Sequence, residues 1–466
     1  MQSDAEARMA ARDACGFPGV RLVHHEAGLC EHARFVAALY GFIDAGAATK
    51  VVAGEDESFQ NADHAGTLAR HADVFANLPV FTQGMNWCMA LFQIGLIAIC
   101  LASLLHALLA AVYVRDWQTE KLPDAELPPI TLLRPIKAGV PALREKLAEL
   151  ARAMRAGDRL VLGANDESPE AGIADSVRAE LSERDIVVVR CRAGAALNPK
   201  ISKLMQMEPA VRGEHLVVSD SEARIDAAWF DAFRREWAAS GSDAMTCGYR
   251  FTGSATWAQA MDAAPTLFSL WPGLLFVRRF GRLTFTLGAC TGLRRSDLAS
   301  VGGWAAFADE LAEDNRLGAA LTKAGRTIRL SQQVVTLESD PLTWREYWRH
   351  QRRVAVTYRI CNPAGFAGMI FTHSVAAGVL LVALPPLQPG WRWVWLAMGV
   401  AVQLQRWLVF REVAKAIGFP LAWSFFTMPV SGLVDAVCWA LAWISPRVWW
   451  SGKWWRVSRE GKLRAC

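Results

Sequence analysis

From Trp87 through Val114 the chain carries no Asp, Glu, Lys or Arg. Such a run exceeds the ~20 apolar residues that cross the hydrocarbon core of a bilayer as a helix. In that solvent every backbone amide must be satisfied internally, so the segment has few alternatives to a helical span. His106 lies inside the run and reads as a neutral histidine facing another helix or the interface rather than as a proton relay. With 53% of its 466 residues hydrophobic, the chain has a composition to match. The net charge of +5 is spread along the sequence, so no nucleic-acid partner is expected. Ten cysteines are scattered without a CxxC pair, and Cys88, Cys100 and Cys438 sit in apolar stretches. That usage points away from a zinc site or a disulfide framework and towards a reduced, cytoplasm-facing domain.

Residues 1–84 show weak periodicity and lack the basic flank and short apolar core of a secretory signal; they remain an unassigned N-terminal extension. Met85 directly precedes the first span and is a candidate start of translation, which native peptides from Phe17 to Arg70 would refute. Arg115 and Lys121 give the exit of the 87–114 span a basic bias, which favours a cytoplasmic location for the next domain. Between 125 and 343 short apolar runs alternate with helical, charged stretches: ITLLRPI, a helix near 141–155, RLVLGAN, a helix near 169–183, DIVVVRC, a further helix, then HLVVSDSE. Alternation of this kind predicts an α/β domain of βαβ units with a mainly parallel sheet. After it, 344–362 reads as a basic, aromatic amphipathic helix at the interface. Apolar stretches over 364–445, broken at Pro385-Pro386 and Gln388-Pro389-Gly390, predict three or four further spans, and the basic tail favours an even number. The aromatic residues of the 446–466 tail, Trp449-Trp450 and Trp454-Trp455, read as interface anchors.

In a parallel sheet the ligand crevice lies at the carboxyl ends of the strands. Asp166 follows the apolar run Leu160–Leu162, and Asp220 follows Leu216–Val218, so two separate strands deliver acids to that one edge. A nucleotide diphosphate brings negative charge that a divalent cation, Mg or Mn, bridges to protein carboxylates. Asp220 and Glu222 flank Ser221; on an extended segment both side chains point the same way and address one metal ion, the alternative being a solvated turn. Glu313-Asp314 opens a helix, EDNRLGAALTKAG. These acids are either helix-start residues favoured by the macrodipole or, for Asp314, a base that deprotonates an acceptor hydroxyl.

Leu132-Leu133-Arg134-Pro135-Ile136-Lys137, the Asp166 loop, Asn198-Pro199-Lys200-Ile201-Ser202-Lys203-Leu204, Ser219-Asp220-Ser221 and Glu313-Asp314-Asn315-Arg316-Leu317-Gly318 occur in an order that resembles glycosyltransferase family 21. That family comprises the ceramide glucosyltransferases and related bacterial hopanoid-biosynthesis glycosyltransferases. The resemblance covers about residues 85–460. It implies a GT-A nucleotide-sugar domain, a UDP-sugar donor, inversion at the anomeric carbon, a membrane-lipid acceptor and a bacterial inner-membrane location. Asp166 matches the acid that contacts uridine, Asp220 the acid that reaches metal and diphosphate, and Asp314 the catalytic base. Lys200 falls in the segment between the first two acids and is a candidate donor contact, and Glu313, next to the base, is expected with Asp166, Lys200 and Asp220 among the substrate-binding residues. The family's closing Q/R-x-x-R-W motif is altered here to His350-Gln351-Arg352-Arg353-Val354; Arg353 remains to neutralise the leaving diphosphate. Trp344 and Trp348 are candidates for replacing the missing tryptophan. Glucose to ceramide is the leading reaction, with N-acetylglucosamine to a hopanoid polyol as the alternative. A processive polysaccharide synthase shares the domain type, and an inactive scaffold or transporter, with Arg406 and Asp435 as its intramembrane charges, is the non-enzymatic alternative.

Overall fold

The computed structural model describes residues 79–466 other than 121–122, 253–255, 339–340, 385–389 and 421–423. The extension up to residue 78 and the proline break at 385–389 lie outside the described residues. The chain enters through helix α1 (Pro79–Thr119) and passes into the α/β domain at β1 (Ile130–Pro135), whose six residues are all buried. Burial on both faces explains why its sequence reads as a continuous apolar run instead of an alternating one. There follow α2 (Leu143–Ala153), β2 (Arg159–Asn165), α3 (Pro169–Glu180), β3 (Ile186–Cys191), α4 (Pro199–Met207), β4 (His215–Ser219), β5 (Ala223–Arg224), α5 (Ala227–Ser240) and β6 (Ala244–Phe251). In α2 the residues Leu143, Leu147, Leu150 and Ala151 recur at helical spacing, and this stripe is the buried face.

The sheet order is β3-β2-β1-β4-β7-β6-β8-β5, where β7 is Cys290–Arg294 and β8 is Ile328–Leu337. The run β3-β2-β1-β4 is parallel throughout, as the alternating pattern predicts. Strand β7 is antiparallel to both its neighbours, and β6 pairs β8 in parallel. This is an α/β domain of the GT-A kind, with its crevice at the ends of β1, β2 and β4.

One element was not expected from the sequence. Inside the domain, α6 (Trp257–Pro265) and α7 (Trp271–Phe280) are joined by a π turn at Thr266–Leu270. Together they are long and apolar enough to cross a membrane, yet 67% of the most apolar window is buried in protein. Leu267, Trp271 and Leu274 share one core with Ala110, Val114 and Trp117 of α1, so this apolar stretch seats the domain on its membrane anchor.

Between β7 and β8 lie α8 (Arg295–Ser300) and α9 (Glu313–Lys323), and after β8 come α10 (Trp344–Cys361), α11 (Pro363–Gly368), α12 (Ser374–Ala383), α13 (Trp391–Ile417) and α14 (Ser424–Ile444). Helix α10 starts at a capping box in which Thr343 and Glu346 satisfy each other's backbone amides, worth about 1 kcal/mol. It buries Tyr347, Gln351, Ala355, Val356 and Ile360 against protein, while Trp344 and Trp348 stay exposed. Among the described residues, Trp87–Thr119, Trp391–Ile417 and Phe426–Ile444 also have the length and hydropathy of membrane spans, and the pair Pro363–Thr372 and Ser374–Ala383, bent by 52°, adds a fifth if it counts as one.

The tail is a folded element. Strands β9 (Arg447–Trp450), β10 (Lys453–Val457) and β11 (Leu463–Ala465) form an antiparallel sheet of order β11-β10-β9. Trp455 is 2% exposed and Trp454 49%, so one tryptophan of that pair is core and the other faces outward.

Candidate active site

Four segments far apart in sequence meet at the carboxyl edge of the sheet. The first is the start of α4, where Asn198 caps the helix: its side-chain oxygen accepts from the Lys200 and Ile201 amides, with Pro199 in the first turn. Its side-chain nitrogen donates to the Glu310 carbonyl and to Glu313 Oε2, both at 2.9 Å. One amide thereby fixes both α4 and the segment that begins α9. Lys200 then projects its ammonium 2.7 Å from Asp220 Oδ1 and 3.1 Å from Glu313 Oε1.

The second segment is the turn after β4. The Ala223 N–H donates back to the Asp220 carbonyl, so residues 220–223 form a turn and not the extended strand on which a shared metal site was expected. The two carboxylates consequently engage different lysines, Asp220 with Lys200 and Glu222 with Lys137 at 2.9 Å. Arg134 and Lys137 hold this turn from below. Arg134, fully buried, donates to the Ser219 hydroxyl and the Ala223 carbonyl, and the Lys137 amide donates to Ser221 Oγ. The Arg-Pro-Ile-Lys segment is therefore a clamp on the acid-bearing turn, a role its sequence alone did not reveal.

The third segment is the start of α9. Asp314 is positioned by the Asn315 amide, which donates to Oδ1 at 2.7 Å, and by Thr286, whose hydroxyl donates to the Asp314 carbonyl at 2.8 Å. Gly318 makes this position possible. A Cβ there would stand 2.3 Å from the Phe285 backbone, so α9 and the loop at 285–286 approach at a distance only glycine allows. Gly288 shows how closely the charges converge: a Cβ built on it would lie 3.2 Å from each of Asp220 Oδ2, Asp314 Oδ2 and Lys200 Nζ. The two carboxylate oxygens are thus within twice that distance of each other.

The fourth segment is α10. Arg353 lies in the field of Asp262, Glu313, Tyr249 and Asp314. The residues preceding it anchor the helix: His350 Nδ1 lies 2.6 Å from Asp262 Oδ1, and the Gln351 amide donates to the same oxygen at 2.8 Å. The histidine of the altered motif therefore has a fixed partner. An aspartate inside the apolar stretch WAQAMDAAPTLF was the available signal for that partner.

Burial and the adjacent Glu313 push the Asp314 carboxyl up to about 7, against the pull of Lys200. Burial opposes the charge on Lys200, but Asp220, Glu313 and Asp314 outweigh it and hold the ammonium above the usual lysine range. Burial also raises Asp220, with Lys200 opposing, whereas Glu222 is held below its ordinary value despite burial because Lys137 and Ser221 stabilise its charge. Burial lowers Arg353 and raises the hydroxyl of Tyr249.

The structure therefore brings Lys200, Asp220, Glu313 and Asp314 together, with Arg353 within their field. Asp166 stands apart, exposed at the end of β2, two strands from Asp220 along the same edge. Its amide donates to the Cys191 carbonyl, which fixes the loop at the end of β3. Among the described residues no three His, Cys, Asp or Glu side chains converge as a metal cage. The donor set instead suits Mg²⁺ or Mn²⁺ held by one or two carboxylates plus substrate phosphates. Asp220 fits that mode, since Lys200 holds Oδ1 while Oδ2 faces the cleft beside Asp314. Glu222 would first have to release Lys137.

A GT-A domain with an acid-lined cleft, seated on apolar helices with the length of membrane spans, is the build of a membrane glycosyltransferase. The chain belongs to glycosyl transferase family 21, whose model matches residues 94–463. Among solved structures it is similar to the mannosyltransferase PcManGT from Pyrobaculum calidifontis in complex with GDP-Man and Mn²⁺, at 15% identity and a TM-score of 0.41, covering 74% of this chain and 98% of that one. It is also similar to S. aureus TarS in complex with UDP-GlcNAc, at 15% identity and a TM-score of 0.34, covering 72% and 98%. No curated protein sequence matches the chain.

Proposed function

We propose that this enzyme transfers a hexose from a UDP-sugar to a hydroxyl of a membrane lipid, with inversion at the anomeric carbon, at the cytoplasmic face of a bacterial inner membrane. Glucose to ceramide is the leading pair. The observation that carries the reading is the meeting of Asp314, Asp220 and Lys200 around Gly288, with one carboxyl raised to about 7 and a cation held charged beside it.

In this reading Asp314, ionised above neutral pH, accepts the proton of the acceptor hydroxyl as its oxygen attacks the anomeric carbon. Glu313 sustains the basicity of Asp314 and is itself held by Asn198 and Lys200. Lys200 and Arg353 direct positive charge towards the departing diphosphate, and Asp166 serves the uridine end of the donor at the outer part of the edge. When bound, a divalent cation supplies further positive charge to the leaving group, with Asp220 as its protein carboxylate.

The test is mass spectrometry of lipids from cells expressing the wild-type chain or Asp314→Asn, with ceramide and hopanoid polyol supplied in parallel. A hexose-sized gain on ceramide, absent with the variant, is the expected result. An N-acetylhexosamine-sized gain on the polyol would replace the substrate pair, a ladder of oligomers would indicate a polymer synthase, and identical lipids from both strains would remove Asp314 from catalysis.

A further inference from the structure

The segment 309–316, which carries Glu313 and Asp314, is held on two sides. On one side stands Asn198, bonded through its side chain to the Glu310 carbonyl and Glu313, while its own amide donates to the Ala308 carbonyl at 2.9 Å. On the other side is the C-terminal tail, about 150 residues further along the chain. The Leu463 amide donates to the Asp309 carbonyl at 2.8 Å, the Leu311 amide donates to the Gly461 carbonyl at 3.1 Å, and Glu310 and Lys462 form an antiparallel bridge. The tail sheet thereby gains residues 309–311 as a further short edge. Arg316, two residues beyond Asp314, donates to the Glu460 carbonyl at 2.5 Å and lies 3.5 Å from Glu310 Oε2.

Gly461 is favoured at this joint by its backbone, and any side chain there would displace the Arg316 and Glu310 tips. Its φ of +98° is a conformation that L side chains rarely adopt, and a Cβ would come within 2.7 Å of both Arg316 Nη2 and Glu310 Oε2. The sheet behind it is well anchored: Leu311, Val448, Trp455, Val457 and Leu463 share one buried cluster with Ala355, Val356 and Ile360 of α10. Arg349 of α10 also lies over the Trp449 ring at 4.1 Å. The same tail therefore grips both the acid-bearing segment and the helix that carries Arg353.

We propose that the C-terminal sheet is a positioning device for the catalytic base, with Gly461 and Arg316 as the positioning residues that keep Asp314 in register with Lys200 and Asp220. The inference rests on the reading of Asp314 as the base. It predicts that loosening the joint slows the chemical step while donor binding, which depends on other parts of the cleft, persists.

The experiment uses the full-length chain in lipid nanodiscs, comparing wild type with Gly461→Ala, Arg316→Ala and Arg316→Lys. Three quantities are measured: UDP affinity, turnover against pH with the donor and acceptor that the wild type uses, and amide hydrogen exchange over 309–316. The expected result is a loss of at least tenfold in kcat for Gly461→Ala and Arg316→Ala, UDP affinity within about twofold of wild type, and faster exchange at Leu311. The acidic limb of kcat should move down from about 7 as Asp314 leaves its buried setting, and Arg316→Lys, which keeps the charge but not the fork, should fall between. Wild-type kcat and an unmoved limb in both alanine variants would overturn the proposal, as would loss of UDP binding in parallel with kcat, which would indicate general damage. If Gly461→Ala fails to fold, the partly exposed Arg316 variants decide the question by the same criteria. A wild-type chain inactive with every donor would defeat the functional reading instead, and the exchange comparison would still decide whether the tail holds the segment.

Discussion

Lys200 occupies the electrostatic centre of the cleft, bridging Asp220 and Glu313 and lowering the proton affinity of Asp314 beside them. The sign of its contribution is testable. Burial and Glu313 raise Asp314 to about 7, so with Asp314 as the proposed base the expected kcat falls on the acid side, where the carboxyl is protonated. Lys200→Met removes the charge that opposes this shift, so the acidic limb of the kcat profile should move to higher pH; a limb that stays or moves down would show that Lys200 does not face the base. Asp314→Asn should lower kcat by about 10²–10⁴, the range general-base catalysis supplies, and its limb near 7 should vanish. The acid residues were legible in the sequence because each follows a strand or opens a helix. The pairings were not: Asn198 with Glu313, Glu222 with Lys137 and Asp262 with His350 join residues far apart along the chain, and no local pattern marks such pairs.

At the level of the elements, the approach of α9 to the extended chain at Phe285 decides where Asp314 stands. Gly318→Ala should destabilise the protein by about 1–3 kcal/mol, because the methyl meets backbone atoms that cannot rotate away, and turnover should fall with it. Unfolding midpoints in urea, compared with wild type, measure the first effect; an unchanged midpoint would mean that α9 can retreat freely. Helix α10 shows what a sequence pattern resolves and what it leaves open. Its basic and aromatic periodicity identified an amphipathic helix, and Trp344 and Trp348 do remain outward. Its buried face, however, packs on α6, α14 and the tail sheet, because a stripe of Tyr347, Gln351, Ala355 and Val356 specifies burial without specifying what covers it. The tail is the sharper case. Its charge and tryptophan pairs suggested an interface anchor, but alternate residues Val448, Trp455, Val457 and Leu463 supply a core face that has meaning only once β9–β11 pair.

Over the whole molecule, contacts between distant segments constrain how the helices are threaded. The end of α13 lies against the catalytic domain, since Arg250 of β6 donates to the Ile417 carbonyl at 2.6 Å and Gln118 at the end of α1 donates to the Ala416 carbonyl. The tail after α14 is hydrogen-bonded to residues 309–311 of the same domain. The chain before and after α14 thus contacts the same domain although the helix has the length and composition of a span, and its Ser431 hydroxyl donates to the Met261 carbonyl of α6. Leu381 of α12 and Trp395 near the start of α13 pack with Leu96 of α1, about 33 Å along that helix from Gln118, so the start of α13 lies well away from its end. Impermeant thiol labelling in sealed vesicles, with exposed Cys88 replaced by serine, checks this arrangement. Cys466 and Glu183→Cys should react from one face and Gly390→Cys from the other; labelling of Cys466 with Gly390→Cys would reverse the path of α14. The sequence by itself determined the membrane anchor, the βαβ order and the edge on which the acids stand, because hydrophobic periodicity and strand-end position are local properties. Only the tertiary structure decided that Asp220 and Glu222 part to different lysines, that an apolar stretch inside the domain packs on α1, and that the tail is hydrogen-bonded to the segment just before Glu313 and Asp314. Each of these depends on contacts between residues tens to hundreds of positions apart, which chain folding brings together and composition does not encode.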